Sequence, residues 1–507
     1  MTPEDMQTCL KVLQSLSEDP SYLARVSQED RIILMKTAGR LAHPTLDDQR
    51  KIARKARKLR REARREKDRL ARNSTGIREA RQVPVFQAPA QKAFPLMEER
   101  PELTESRFCY VCKTPYTRVH FFYDSMCQAC GDLNYQKRFQ TADLTGRTAL
   151  VTGGRVKIGY QTALKLLRAG ARTIVTTRFP QDSALRFSRE EDFWEWKHRL
   201  QIHGLDLRHS PSVEMFARYL ANTEERLDFL INNAAQTVRK PPGFYKHLME
   251  WETKPVKDLP AELRTLLEAH ENCKQVLEGK LLGTDENAIE NTLLKTWPGK
   301  SAAIGIRASA KLSMIPYNFD EETQADLEIF PEGALDADLQ QVDLRKHNTW
   351  RLTLAEVSTP EMLEVHLVNA VAPFVLAAKL KPLMLKHPTG GQHIVNASAM
   401  EGKFNRWTKT DKHPHTNMAK AALNMMTLTS ASDYAKSGIY MNAVDTGWIT
   451  DEDPAHLSQA KKEMHDFEPP LDIVDGAARL LDPVFTSILT GEHIFGKFLK
   501  DYKPSEW

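Results

Sequence analysis

The chain has 507 residues, of which 41% are hydrophobic and 27% charged, and a net charge of only +4. That is too long for one ordinary core, so two or three units are expected. No apolar run approaches the roughly 18–20 residues of a membrane helix. The acid-bearing start MTPEDMQTCLKVLQ also lacks the basic-then-apolar order of a signal peptide, so the expectation is a cytoplasmic protein with no membrane segment.

Residues 1–72 read as helical, with apolar positions at Leu10, Val12, Leu13 and Leu16 and again from Ile32 to Met35. The zone ends in RKIARKARKLRREARREKDRLAR, where 13 Lys/Arg face 3 Asp/Glu between Arg50 and Arg72, a local +10; the rest of the chain is then −6 (4 − 10). Such a run suits phosphate contacts with nucleic acid. It holds no aromatic residue for base stacking, and Glu62 and Glu66 are flanked by Arg, which suits an exposed, solvated helix equally well. Residues 73–105, rich in Pro, Gln and Ala, read as an extended linker.

Residues 106–140 carry Cys109-x2-Cys112 and Cys127-x2-Cys130, 14 residues apart. In a chain without an export signal this spacing favours metal over disulfides, and two such knuckles complete a tetrahedral Zn2+ site with no open position. A structural zinc-ribbon-like module is expected, too small to fold without its metal.

From Asp143 to the end the pattern alternates strand and helix, predicting an α/β, doubly wound parallel sheet of Rossmann type. RTALVTGG, TIVTTR, LQIHGLDL, LDFLINNAA, HIVNAS and IYMNAV read as strands, with EHIFGKF as one further candidate. IGYQTALKLLRAGA, TPEMLEVHLVNAVAPFVLAAKLKPLM and HTNMAKAALNMMTLTSASDYAKSG read as helices. A large helical insertion, about 236–350, breaks the rhythm; its stretch PAELRTLLEAHENCKQVLEGKLL suits a lid.

The first strand runs into Thr152-Gly153-Gly154-Arg155-Val156-Lys157-Ile158-Gly159, which opens a helix. Glycines there let backbone approach a pyrophosphate at a helix N-terminus. Asp206-Leu207, Asn232-Asn233-Ala234-Ala235 and Asn369 follow in order. Over residues 144–500 the chain resembles the short-chain dehydrogenase/reductase family. Its TGxxxGxG turn is matched at Thr152, Gly153 and Gly159, with Lys157 in the place of the middle glycine. The resemblance implies that Asp206 and Leu207 contact adenine and that Asn233 and Ala234 belong to an NNAG motif ending in Ala235. At the second strand's end stands Thr176-Thr177-Arg178, with no acid for a ribose 2′-hydroxyl; Arg178 therefore favours NADP(H) over NAD(H).

The family's proton-exchanging tyrosine has a lysine four residues on, a carbonyl-orienting serine and an asparagine. The resemblance gives Lys420 and Asn369 their family roles, but Thr416 stands at the tyrosine position. The serine falls at Ser398 or, counting back from Gly402, at Ala399, and Asp445-Thr446-Gly447 replaces the usual ending in Pro-Gly. A threonine hydroxyl is far less acidic than a phenol, whose pKa is about 10. His413, His415 or Tyr245 are substitute acids, a substrate that needs no strong acid is a second answer, and a nucleotide-binding scaffold without turnover is a third. The resemblance also implies a small-molecule substrate and a homo-oligomer.

Overall fold

The computed structural model describes residues 2–94, 100–277, 300–317, 328–406 and 409–507. Two compact units emerge, Met1–Leu70 and Ala71–Trp507. The first is helical: α1 (Pro3–Glu18), α2 (Gln28–Ala42) and α3 (Leu46–Asn73, which continues into the second unit). A reciprocal capping box opens α1, Asp5 N–H donating to Thr2 Oγ1 and Thr2 N–H to the Asp5 carboxylate. None of its described residues up to Leu70 is buried, and Ile52, Leu59 and Leu70 of α3 stay exposed. Along α3, Glu62 pairs with Lys58 at 3.8 Å and Glu66 with Arg69 at 2.8 Å, as a solvated charged helix does.

In the second unit, β1 (Glu102–Phe108) and β2 (Pro115–Arg118) form an antiparallel pair, followed by helix α5 (Gln128–Phe139). The main sheet has eight strands in the order β10-β9-β8-β7-β6-β3-β4-β5. These are β3 (Thr148–Thr152), β4 (Arg172–Thr177), β5 (Leu200–Gly204), β6 (Phe229–Asn232), β7 (Gln392–Ser398), β8 (Ile439–Asp445), β9 (Phe498–Lys500) and β10 (Lys503–Ser505). All pairs are parallel except β9–β10. β3 lies between β4 and β6, so strand order reverses there and opens a crevice at the carboxyl ends.

Alternation along each strand divides the core into two layers. Leu150, Ile174, Leu230 and Ile394 meet Phe216 and Leu220 of α8 (Ser210–Thr223) and Leu376, Leu380 and Leu383 of α12 (Ala372–Lys386). On the other face Val151, Ile231, Val395 and Val444 meet Leu166 of α6 (Lys157–Arg168) and Leu480, Val484 and Phe485 of α15 (Ile473–Thr490). Each such side chain, fully buried, contributes about 1.5–3 kcal/mol. α11 (Thr359–His366), a π-helical turn at Leu367–Val371 and α12 together are long and apolar enough, by length and composition, to cross a membrane. Here Leu376, Leu380 and Leu383 cover the sheet instead.

Three expectations are corrected. The described residues of 73–105 are no uniform extended linker: they contain helix α4 (Gly76–Glu79) and the start of β1, and Ile77 is fully buried. Arg78 pairs with buried Asp124 at 2.5 Å, and Arg81 with Glu468 at 3.2 Å, which pins the segment's first part. The cysteine module, whose docking the sequence leaves open, packs into the same unit as the sheet. Its Val119, Phe122 and Tyr123 share one core with Leu471, Ile473 and Val474, while Arg138 of α5 pairs with Asp472 at 2.6 Å. The strand near EHIFGKF is β9, Phe498–Lys500, so only the final residue of EHIFGKF is in it. The helix expected as a lid is α10 (Ala261–Leu277), whose Leu263, Leu266 and Leu267 pack with Leu200 and Ile202 of β5; residues 278–282 of that stretch lie outside the described residues.

Candidate functional site

A cavity of about 1350 Å3 lies along the carboxyl ends of β4 to β9. Its floor is the turn after β3. Gly153, at φ +70°, touches Ala234, and a Cβ on Gly159 would stand 2.2 Å from the Gly153 carbonyl oxygen. Lys157 takes the left-handed conformation itself, φ +55°, so it keeps the backbone shape of the glycine it replaces. Burial pushes its ammonium down, but Glu452, Asp338 and Asp336 more than offset that, and it stays charged.

The turn is braced from β6. Asn233 Nδ2 donates to the carbonyls of Thr152 and Gly153 at 3.0 and 3.2 Å, and Ala234 N–H donates to Thr152 Oγ1 at 3.1 Å. Asn369 sits in the π-helical turn, where its amide closes a pair of bonds with Gln236, accepting from its N–H at 2.7 Å and donating to its carbonyl at 3.0 Å. Leu207 is on the wall beside Asp206, whose carboxylate is held by Arg208 at 2.7 Å.

At the end of β4, Arg155 is paired with Asp182 at 2.6 Å. Arg178 instead donates to two hydroxyls, Tyr245 Oη at 2.8 Å and Ser313 Oγ at 3.1 Å, and lies over the Tyr245 ring. Tyr245 thus serves the Arg178 end of the cavity, which removes it as a substitute acid beside Lys420. The insertion reaches the wall through helix α9 (Pro242–Glu252), with Phe244 and Tyr245, and through residues such as Asp343 and Trp350.

Helix α13 (Pro414–Ala435) supplies the reactive face. His413, Asn417 and Lys420 line the cavity, spaced four and three residues apart as one helical face requires. Lys420 Nζ donates to the Ala397 carbonyl at 2.7 Å, and burial lowers its pKa to about 8 against the opposing pull of Glu401 and Asp445. Thr416 does not belong to that wall: it is buried, and its hydroxyl has no hydrogen-bond partner among the described residues. Ser398 and Ala399 both line the cavity, and the Ser398 hydroxyl donates to Asn424 Oδ1 at 2.5 Å. His415 is buried off the wall, with its pKa lowered to about 4 by burial. His413 stacks on Trp350 with centroids 3.9 Å apart, and burial lowers its pKa too, so neither histidine is a ready acid at neutral pH.

Sequence reasoning missed Asn417, whose Oδ1 is buried without a partner, because the tyrosine-position count drew attention one residue earlier. It also missed Tyr110 and Lys113 of the first cysteine knuckle, which line the same cavity as Asp445, Gly447 and Lys500. The thiols of Cys109, Cys112, Cys127 and Cys130 gather within 4.8 Å of one another. Cys127 caps α5 and Cys130 lies in its first turn, while Cys109 and Cys112 bend between β1 and β2.

Comparison with known proteins agrees with this geometry. A family described as short chain dehydrogenase matches residues 147–253, and one described as enoyl-(acyl carrier protein) reductase matches residues 335–471. The gap between them falls within the insertion. The uncharacterized protein R665 of Acanthamoeba polyphaga mimivirus is 30% identical over 395 residues, covering 75% of this chain and 72% of that one. Human retinol dehydrogenase 13 is 38% identical over 95 residues, 18% of this chain and 28% of its own length. Among solved structures, a Pseudomonas aeruginosa RhlG–NADP complex covers 70% of this chain and 95% of its own, at 16% identity and a TM-score of 0.41. With the two halves of the family pattern matched on either side of the insertion, the chain belongs to the short-chain dehydrogenase/reductase family.

Proposed function

We propose that the protein is an NADP(H)-dependent oxidoreductase of short-chain dehydrogenase type with an altered proton-donor position, and that its four cysteines hold a structural Zn2+. The observation that carries the cofactor choice is Arg178. It stands where an NAD site places an acid, it is oriented by neutral hydroxyls, and among the described residues no carboxylate pairs with it. A 2′-phosphate would meet that charge bidentately. The dinucleotide fits the tight Gly153–Gly159 cradle and the buried Lys420, and when bound it supplies or accepts a hydride.

The chain's own residues do the rest. One Lys420 N–H is bound to the Ala397 carbonyl, which leaves its other donors for a ribose hydroxyl. Asn417 Oδ1, buried without a partner, stands on the same helical face as Lys420 and would accept from a substrate hydroxyl. Four thiolates leave no open position, so the metal would act through folding, not catalysis.

A second reading, a nucleotide-binding scaffold without turnover, is favoured by Thr416, whose hydroxyl is turned away from the wall. The test is titration with NADPH and NADH, followed by nicotinamide fluorescence. NADPH should bind more tightly, and Arg178→Ala should weaken NADPH about tenfold or more while changing NADH little. Binding of neither nucleotide overturns the cofactor assignment. NADPH oxidation across a panel of carbonyl and conjugated acceptors separates the enzyme from the scaffold.

A further inference from the structure

The first cysteine knuckle does more than fold a module. Tyr110 lies between Cys109 and Cys112, its backbone N–H fixed to the Ser125 carbonyl at 2.8 Å. Its phenol oxygen accepts the Trp448 N–H at 3.1 Å, and a Cβ on neighbouring Gly447 would stand 3.4 Å from that oxygen. Gly447 (φ +83°) and Trp448 begin the loop after β8 that borders the cavity through Glu452 and Asp453. Lys113, just past Cys112, adopts a left-handed backbone (φ +62°), bonds the Tyr110 carbonyl at 2.5 Å and lines the mouth. Both residues belong to the first knuckle, whose Cys109 and Cys112 thiols lie within 4.8 Å of those of Cys127 and Cys130.

We infer that the four-cysteine knuckle is a wall of the nucleotide site: Tyr110 positions the Gly447–Trp448 loop, Lys113 presents a cation at the mouth, and metal binding is thereby coupled to nucleotide binding. This rests on reading the cavity as a dinucleotide site. Without the metal the thiols lose their common centre, the knuckle is free to open, and the acceptor for the Trp448 N–H leaves with it. Coupling between two sites is reciprocal, so nucleotide must hold the metal as strongly as metal holds nucleotide.

The experiment uses the full chain loaded with Zn2+. Stripping the metal with EDTA should raise the NADPH Kd about tenfold, restored on adding Zn2+, and NADPH should slow zinc release to a chromogenic chelator. Tyr110→Phe keeps all four cysteines; it should retain the zinc content and melting temperature yet raise the Kd about fivefold and lose the protection against the chelator. A merely structural tyrosine would not move that protection. Should stripping unfold the chain, Tyr110→Phe and Lys113→Ala decide alone. Unchanged NADPH affinity in the stripped, folded protein, or wild-type affinity and protection in Tyr110→Phe, overturns the coupling and leaves the cofactor assignment intact. Zinc-loaded wild-type protein that binds neither NADPH nor NADH overturns the cofactor assignment and the coupling with it.

Discussion

Lys157 occupies a backbone position made for glycine, at a cost of about 1 kcal/mol. Its charge beside the pyrophosphate turn gives a reason to bear that cost. Lys157→Gly relieves that strain but leaves half-buried Glu452 and Asp338 without their cation, so stability should stay within about 1 kcal/mol in chemical denaturation while NADPH binding weakens. A variant both less stable and unchanged in affinity would contradict this account. Lys420 gives the pH dependence. Burial lowers its pKa to about 8, so it is mostly cationic at pH 7 and loses its proton as pH rises through 8. Cofactor affinity gained from that cation should be full below pH 7 and fall between pH 7 and 9. Lys420→Met should bind about tenfold more weakly at pH 7 and show a flat profile, measured by NADPH fluorescence in matched ionic strength. At this scale the sequence was readable where chemistry and spacing coincide, as at Gly153, Gly159, Lys420 and the four cysteines. It was unreadable where side-chain direction decides. Thr416 has the right number but is buried off the wall, and Asn417 has no motif at all.

At the scale of elements, period and length identified β3 to β8, because those strands are buried on both faces and read as continuous apolar runs, and with them α6, α11–α12 and α13, but not α8. Segments held by charge were misread. Residues 73–94 show no helix or strand periodicity beyond one short turn, yet Arg72, Arg78 and Arg81 fasten their start to Asp124, Asp466 and Glu468 through contacts between 2.5 and 3.4 Å. Partners nearly four hundred residues away leave no trace in local composition. The lid expectation failed for a related reason: α10 is amphipathic, and its apolar face is spent on β5, so it cannot also close the cavity. Arg78→Met tests the first point, because it strips buried Asp124 of its ion-pair partner. The expected loss is about 3 kcal/mol in chemical denaturation, since an uncompensated buried carboxylate remains. A loss below about 0.5 kcal/mol, the range of ordinary surface substitutions, would restore the linker reading.

At the scale of the whole molecule, the division at Leu70–Ala71 separates a part with no buried residue among those described from a part that holds the sheet, the cysteines and the cavity. Arg72, although it ends the same helix, belongs with the second unit through its 2.5 Å pair with Asp466. A truncated chain beginning at Ala71 keeps that pair and should therefore keep the full chain's NADPH affinity and zinc content, and its main melting transition. A cut placed after Arg72 removes the pair and should melt lower, so comparing the two truncations isolates the Arg72–Asp466 pair. The same proteins decide what the 13 basic residues of Arg50–Arg72 are for. If they contact phosphates, the full chain binds a short DNA duplex with an affinity that falls steeply with salt, and the chain from Ala71 does not. If the full chain shows no such salt-dependent binding, the run is a solvated helix face, as the Lys58–Glu62 and Arg69–Glu66 pairs indicate.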